Sequence, residues 1–266
     1  MSENLKDLRK EIDAVDAQLV ASLQERLNIT ARIGKYKAET GAELFCPERE
    51  EEKLEVLKKI LGDYPYSEYV VALFRDIMDY AKLQQSNNIY GLKDIYLIGM
   101  PGCGKSVIGE KLARKMYREF IDLDLLFEKT YGISPAEMIE KNGEPAFRDK
   151  ESELLRNIAV KREHLIPIKL ENEKGRIISC GGGIVVRDEN REFLKTDSTV
   201  IYIKRDIDKL TSNGRPLSAK VGVEKLYEER ALKYEGWSDM IIENSGEIDT
   251  CVAEILKFFN RYNNTK

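Results

Sequence analysis

Residues Gly99-Met100-Pro101-Gly102-Cys103-Gly104-Lys105-Ser106 fit the pattern GxxxxGK[ST]. In such a run, backbone N–H groups curl around a polyphosphate at a helix N-terminus. The lysine brings a point charge to its β/γ end, and the hydroxyl can ligate Mg²⁺. The chemistry requires an apolar strand before the loop and a helix after it, and the flanking runs DIYLIGM and VIGEKLARKM supply both. Gly99, Pro101, Gly102, Cys103, Gly104 and Lys105 are therefore nucleotide-binding candidates and Ser106 is a metal-ligand candidate. Other chemistries lack their residues. Cys46, Cys103, Cys180 and Cys251 are far apart with no CxxC pair, which argues against a zinc site or a disulfide framework. The one histidine, His164, lies in the polar stretch KREHLIP and reads as a solvated surface residue.

The elements that must position this loop change character along the chain. From Leu5 to about Ala38, apolar residues recur at Leu5, Leu8, Ile12, Val15, Leu19, Leu23 and Ile33, the spacing of one long amphipathic helix. Such a helix is longer than a unit of this size is deep, so it is expected to pack partly against a second copy of the chain. The break GAELFCP ends it. Pro47 then opens a second helix, PEREEEKLEVLKKIL, closed by Gly62, and a third runs from Ser67, an N-cap candidate, to Gln85. The polar segment SNNIYGLKD marks a boundary between a first domain over residues 1–88 and a second over 93–266. Beyond it, short β-branched runs (DIYLIGM, EFIDLD, GRIISC, TVIYIK) alternate with helical stretches, implying a parallel sheet flanked by helices.

The 266 residues include 43 basic and 47 acidic side chains, a net charge of -4. Residues 1–92 hold 13 basic and 17 acidic ones, and the remainder balances. A nucleic-acid surface is not expected, since it needs clustered basic charge. No apolar run approaches the ~20 residues of a membrane span, and the N-terminus shows no apolar export signal, so a cytoplasmic location is the expectation.

The second domain resembles the shikimate kinases. It does so through FIDLD with Asp122 and Asp124, NGEPAFRDKE with Phe147, Arg148 and Glu151, the triplet Gly181-Gly182-Gly183, and NGRPL followed by EERALKY, in family order over residues 94–245. The resemblance implies a P-loop α/β fold, ATP and Mg²⁺ as cofactors, and shikimate as the small-molecule substrate. It implies that Arg148 and Arg230 bind the carboxylate, that Asp124 holds the ring hydroxyls and helps activate one, and that Asp122 acts on magnesium. The glycine triplet would let the ring approach backbone N–H groups. Residues 213–222 resemble the family's lid, in which Arg215 closes over the transferring phosphoryl group. There are departures from the family pattern. The lid is short, Leu210 stands near where relatives carry an arginine against the adenine, Ile139 replaces an aromatic, and residues 163–174 look like an inserted surface loop.

The first domain resembles the all-helical class of chorismate mutases over residues 4–85, through LRKEIDAVDAQLVASLQERLNITARIGKYK, PEREEEKL and FRDIMDYAKLQQ. Residue by residue, the resemblance implies an active site of Arg9, Arg26, Lys37, Arg49, Glu50 and Gln85 with chorismate as substrate. Arg26 and Lys37 fall about 20° apart around one helix and ~16 Å apart along it, so both can reach one ligand. Arg9 lies ~25 Å from Arg26 and about 100° away, out of reach within one chain. The family builds each site with an arginine from the other subunit of an intertwined homodimer. Cys46 stands where relatives have aspartate, and Ala81 where they have serine. The expectation is a multidomain chain, with an all-α mutase module followed by an α/β kinase. The rival readings are a catalytically silent dimerisation or ligand-sensing module, and a kinase acting on another small hydroxylated metabolite or on a nucleotide.

Overall fold

The computed structural model describes residues 4–40, 42, 44–160, 175–210 and 222–263. His164, Arg215, the expected insertion at 163–174 and all of the expected lid except Gly222 lie outside the described residues. The chain forms two compact units, Met1–Ile89 and Tyr90–Lys266.

The first unit is three helices: α1 (Leu5–Thr40), α2 (Pro47–Leu61) and α3 (Ser67–Tyr90). α1 has 36 residues, ~54 Å at the helical rise. Pro47 sits in the first turn of α2, where a missing N–H is harmless. Cys46 precedes it with no side-chain capping bond, and Gly62 ends the helix at φ 54. A small core of Leu54, Val71 and Met78, flanked by Leu57 and Leu61, joins α2 to α3. The one fully buried residue of α1 is Gly34. Its apolar row stays open to solvent, with Leu5 61%, Ile12 59%, Val15 52% and Leu19 54% exposed.

Two details of α3 differ from expectation. Ser67 is its first helical residue instead of its cap, since Val70 N–H bonds to the carbonyl of Tyr66. The helix also continues through the segment read as a linker, because Ile89 and Tyr90 are apolar and buried. It ends at Gly91, whose φ is 71. Arg118 donates to the carbonyls of Tyr90, Gly91 and Lys93, satisfying groups a helix end leaves open.

The second unit is built on a five-stranded parallel sheet in the order β2-β3-β1-β4-β5. The strands are β1 (Asp94–Ile98), β2 (Glu119–Asp122), β3 (Arg176–Ser179), β4 (Ser198–Lys204) and β5 (Met240–Glu243). β1 is buried at every position, as a central parallel strand covered on both faces must be. The helices are α4 (Lys105–Met116), α5 (Leu123–Tyr131), α6 (Pro135–Val160), α7 (Asn190–Lys195), α8 (Val223–Trp237) and α9 (Ile248–Asn263). α6 is broken at Gly143 (φ 84), with Pro145 just beyond. On one face of the sheet, Tyr96, Ile98, Ile178, Val200 and Tyr202 pack with Phe127, Phe147, Leu155 and Tyr234 from the helices. α4 packs on β1–β3 and α9 on α4 and β5. β1 is the switch point of the strand order, with β3 on one side and β4 on the other, and the loop after its C-terminal end is where an open α/β sheet presents its ligand crevice.

Candidate active sites

In the first unit, Arg26 lines a groove of about 320 Å³ with Ser22, Glu25, Ile29, Thr30, Ile33 and Lys53. Its Nη1 is buried with no partner among the described residues, and burial lowers its pKa. Further along the same face of α1, Gln85 of α3 packs against Gly34, where an added Cβ would come 2.8 Å from Gln85 Cγ. Lys37, one turn on, donates to the carbonyl of Leu44 at 2.9 Å. Glu50 of α2 accepts from Lys82 of α3 at 2.9 Å, and Lys82 stands one turn before Gln85. Gln85 against Gly34 and Lys82 on Glu50 thus link α3 to α1 and α2, whereas the groove lined by Arg26 does not include Lys37, Glu50 or Gln85. The other two candidates stand apart: Arg49 is exposed and pairs with Glu52, and Arg9 is exposed at the far end of α1. Lys82 is a cation that the sequence reading passed over.

In the second unit, one cavity of about 430 Å³ opens at the C-terminal ends of the strands. Its lining includes Pro101, Gly102, Gly104, Lys105 and Ser106 from the loop and Asp122 and Asp124 from the end of β2. Arg148, Gly181, Gly182, Gly183 and Arg230 line the same space. Gly99 and Cys103 stand behind it as part of the loop's frame. Lys105 is buried and donates to the carbonyls of Gly99 and Met100, both at 2.9 Å. Ser106 Oγ donates to Asp122 Oδ2 at 2.6 Å, while Oδ1 of the same carboxylate caps α5 by accepting from Asp124 N–H at 3.0 Å.

Arg148 is held by two carboxylates. Its Nη1 donates to Glu151 at 2.6 Å, and its Nε and Nη2 donate to Glu144 at 3.2 and 3.0 Å. Burial draws the Arg148 pKa down, but Glu151 and then Glu144 outweigh it, so the guanidinium is held above its ordinary value. For the fully enclosed Glu151, burial is the larger effect, and its carboxyl is raised despite Arg148.

The glycine triplet is required by close approach. A Cβ at Gly183 would lie 2.0 Å from Arg148 Nη2, one at Gly182 2.5 Å from the Pro101 ring, and one at Gly181 2.7 Å from Glu151 Oε1. Arg230 Nη1 and the Tyr234 hydroxyl both donate to the carbonyl of Gly182. A phosphate loop, a hydroxyl–carboxylate pair and two buried arginines therefore share one enclosure, an arrangement suited to moving a phosphoryl group onto a small anionic acceptor.

The family model described as Shikimate kinase matches residues 101–260, more than half of the chain. The chain belongs to the shikimate kinase family. Residues 8–86 match the model described as Chorismate mutase type II, so a mutase domain and a kinase domain stand on one polypeptide. A shikimate kinase of Clostridium botulinum (strain Eklund 17B / Type B) is 40% identical over 169 residues, covering 61% of this chain and 94% of its own length. Among solved structures, the shikimate kinase of Acinetobacter baumannii in complex with shikimate is similar with a TM-score of 0.58 and 27% identity, over 66% of this chain and 98% of that one. The shikimate kinase of Aquifex aeolicus gives a TM-score of 0.51 at 27% identity, over 65% and 98%.

Further residues that the motifs did not assign to the site line or adjoin the cavity of the kinase domain. Glu151 was legible, since it lies three residues after Arg148 on a helix and must share its face. Tyr234 was legible in the same way, four residues after Arg230 on α8 and at the end of EERALKY, whereas Ser179 carries no such signal, because the sheet register brings it in. Arg205 lines the cavity as well. Ile139 is part of the lining, whereas Leu210 packs against the apolar core.

Proposed function

We propose that the chain is a bifunctional enzyme of aromatic amino-acid biosynthesis. Its kinase domain transfers the γ-phosphoryl group of ATP to the 3-hydroxyl of shikimate, and its helical domain rearranges chorismate to prephenate. The observation that carries the kinase assignment is the shared cavity, lined both by Lys105 with the Ser106–Asp122 pair and by Arg148, Arg230, Asp124 and the glycine triplet.

Shikimate has one carboxylate and three hydroxyls. Arg148 and Arg230 take the carboxylate, with a two-pronged guanidinium contact at Arg148. The edge of Arg148 that the substrate needs is the one Glu144 holds. Glu144 is part-exposed and turns to solvent as the substrate arrives, while Glu151 keeps the guanidinium aimed. Backbone N–H groups of the glycine triplet and the Asp124 carboxylate hold the ring hydroxyls. Asp124 accepts the 3-hydroxyl proton as that oxygen attacks the γ-phosphorus, and ADP departs. Lys105 exchanges its two loop carbonyls for phosphate oxygens and offsets their charge. Ser106 Oγ and Asp122 Oδ2 are hard oxygen donors 2.6 Å apart, the kind Mg²⁺ selects. Bound there, the ion would neutralise charge on the β- and γ-phosphates. Arg215 would add a further cation from the lid.

In the helical domain, the rearrangement breaks an ether C–O bond and forms a C–C bond within one molecule, so it needs no acid, base or covalent intermediate. Catalysis rests on holding the compact conformer and stabilising charge on the ether oxygen. Arg26 binds a carboxylate, Lys37 and Gln85 donate to the ether oxygen, and Glu50 accepts from the ring hydroxyl. Arg49 belongs to the same candidate set. Arg9 completes the site from a second copy in a homodimer, and the open apolar row of α1 supports that reading.

A silent dimerisation module is the second reading, favoured by the internal bonds of Lys37 and Glu50. Chorismate turnover by the purified chain separates the two. Among the described residues, no helix is long and apolar enough to cross a membrane. The cysteines are free. Both facts support a cytoplasmic enzyme.

A further inference from the structure

The residue after β4, Arg205, lines the cavity on the side of the phosphate loop. Its Nη1 donates to the carbonyl of Gly102, inside that loop, at 3.4 Å, longer than a charge-assisted bond ordinarily is. Its Nε is buried with no partner among the described residues. The adjacent carboxylate, Asp206, is committed to Lys209 at 2.9 Å. The other cations of the cavity are engaged differently. Lys105 is bonded to two loop carbonyls, Arg148 to two carboxylates, and Arg230 to the carbonyl of Gly182 in the glycine triplet. Arg230 also has a buried Nε without a partner among the described residues, but Arg205 is the one that is half-buried and bonded to the phosphate loop itself, through a weak contact with Gly102. Burying a charged donor without an acceptor is unfavourable, so such a group is suited to an acceptor that arrives with the ligand.

We propose that Arg205 is a nucleotide-binding residue whose Nε and Nη donors take oxygens of the nucleoside triphosphate's phosphate chain, as a second cation beside Lys105. The assignment rests on the reading of this cavity as an ATP site and adds a residue to it. An open in-plane Nε–H argues for an acceptor at the guanidinium edge, which a phosphate oxygen supplies and the face of a purine does not. It also gives a physical role to a charge standing just after β4, whose Val200–Ile203 run is apolar and buried.

The test compares wild type with Arg205→Met and Arg205→Lys in three measurements. Calorimetric titration with Mg-ADP, which needs no acceptor, is expected to show binding weakened about 10- to 100-fold in Arg205→Met and less in Arg205→Lys. Steady-state kinetics are expected to show the KM for ATP raised by a similar factor and the KM for shikimate changed less than about 2-fold. Inhibition by inorganic tripolyphosphate, which has no base, is expected to weaken in parallel. Unchanged Mg-ADP binding overturns the proposal. Weakened Mg-ADP binding with unchanged tripolyphosphate inhibition also overturns it, by moving the contact to the base or ribose. An equal rise in both KM values overturns it too, because that is the mark of a loop merely loosened. If wild type binds Mg-ADP and does not phosphorylate shikimate, the acceptor assignment fails while the calorimetric comparison still decides the role of Arg205.

Discussion

Arg148 is the residue on which the acceptor assignment turns, because it is buried, fixed by Glu151 and charged irrespective of pH in the working range. Replacing it by alanine removes a charge-assisted contact of roughly 1.5–3 kcal/mol. In Arg148→Ala, kcat/KM for shikimate is expected to fall about 10- to 100-fold or more, with Mg-ADP binding unchanged. In the proposed mutase reaction, Gln85 is assigned a donor role through an amide whose state does not depend on pH. Chorismate turnover should therefore be flat across neutral pH, and Gln85→Glu should confine it to acid, where the carboxyl carries a proton to donate. A steep loss above neutral pH in the wild type would count against the role of Gln85. Burial decides the behaviour of the thiols: Cys103, Cys180 and Cys251 are enclosed, and burial holds the Cys180 thiol well above its usual range. Brief alkylation of the folded protein is expected to label Cys46 first, which peptide mapping would reveal. The polar residues of the cavity were legible where they sat in contiguous motifs. Ser179 was not, because only the sheet register brings it to the site.

At the scale of elements, the three-four spacing of α1 and the Pro47 and Gly62 bounds of α2 are local signals, and both helices form where those signals fall. β5 (Met240–Glu243) was not among the strand runs read from the sequence. It is four residues long with one fully buried side chain, so its pairing with β4 decides it more than its composition does. The end of α3 was misread for a related reason. Ser86, Asn87 and Asn88 are polar and suggest a linker, yet Ile89 and Tyr90 are buried and the helix runs on to Gly91. The Arg118 clamp on the carbonyls that follow carries a prediction. Arg118→Ala leaves those groups without donors, at roughly 1–3 kcal/mol, and is expected to lower the melting temperature by several degrees in a thermal scan. The glycine triplet belongs to this scale as well. Gly183→Ala drives a Cβ into the Arg148 guanidinium. It should depress shikimate phosphorylation strongly while leaving the circular dichroism spectrum of the fold intact.

For the whole molecule, the described residues of the kinase unit line a cavity of its own, whereas the helical unit leaves Leu5, Ile12, Val15 and Leu19 open and Arg9 far from the other site residues. Placing aspartate at Ile12 and Val15 is expected to give a monomer by sedimentation and to abolish chorismate turnover. Shikimate phosphorylation should be kept. The central claim is that two independent enzymes share this chain, and it is tested most directly by assaying the purified full-length protein and its Arg26→Ala variant for chorismate disappearance and for shikimate-dependent ADP release. The account predicts both activities in the wild type and loss of chorismate turnover alone in the variant. An intact dimer that phosphorylates shikimate and leaves chorismate untouched would contradict it and make the helical unit a structural or sensing module.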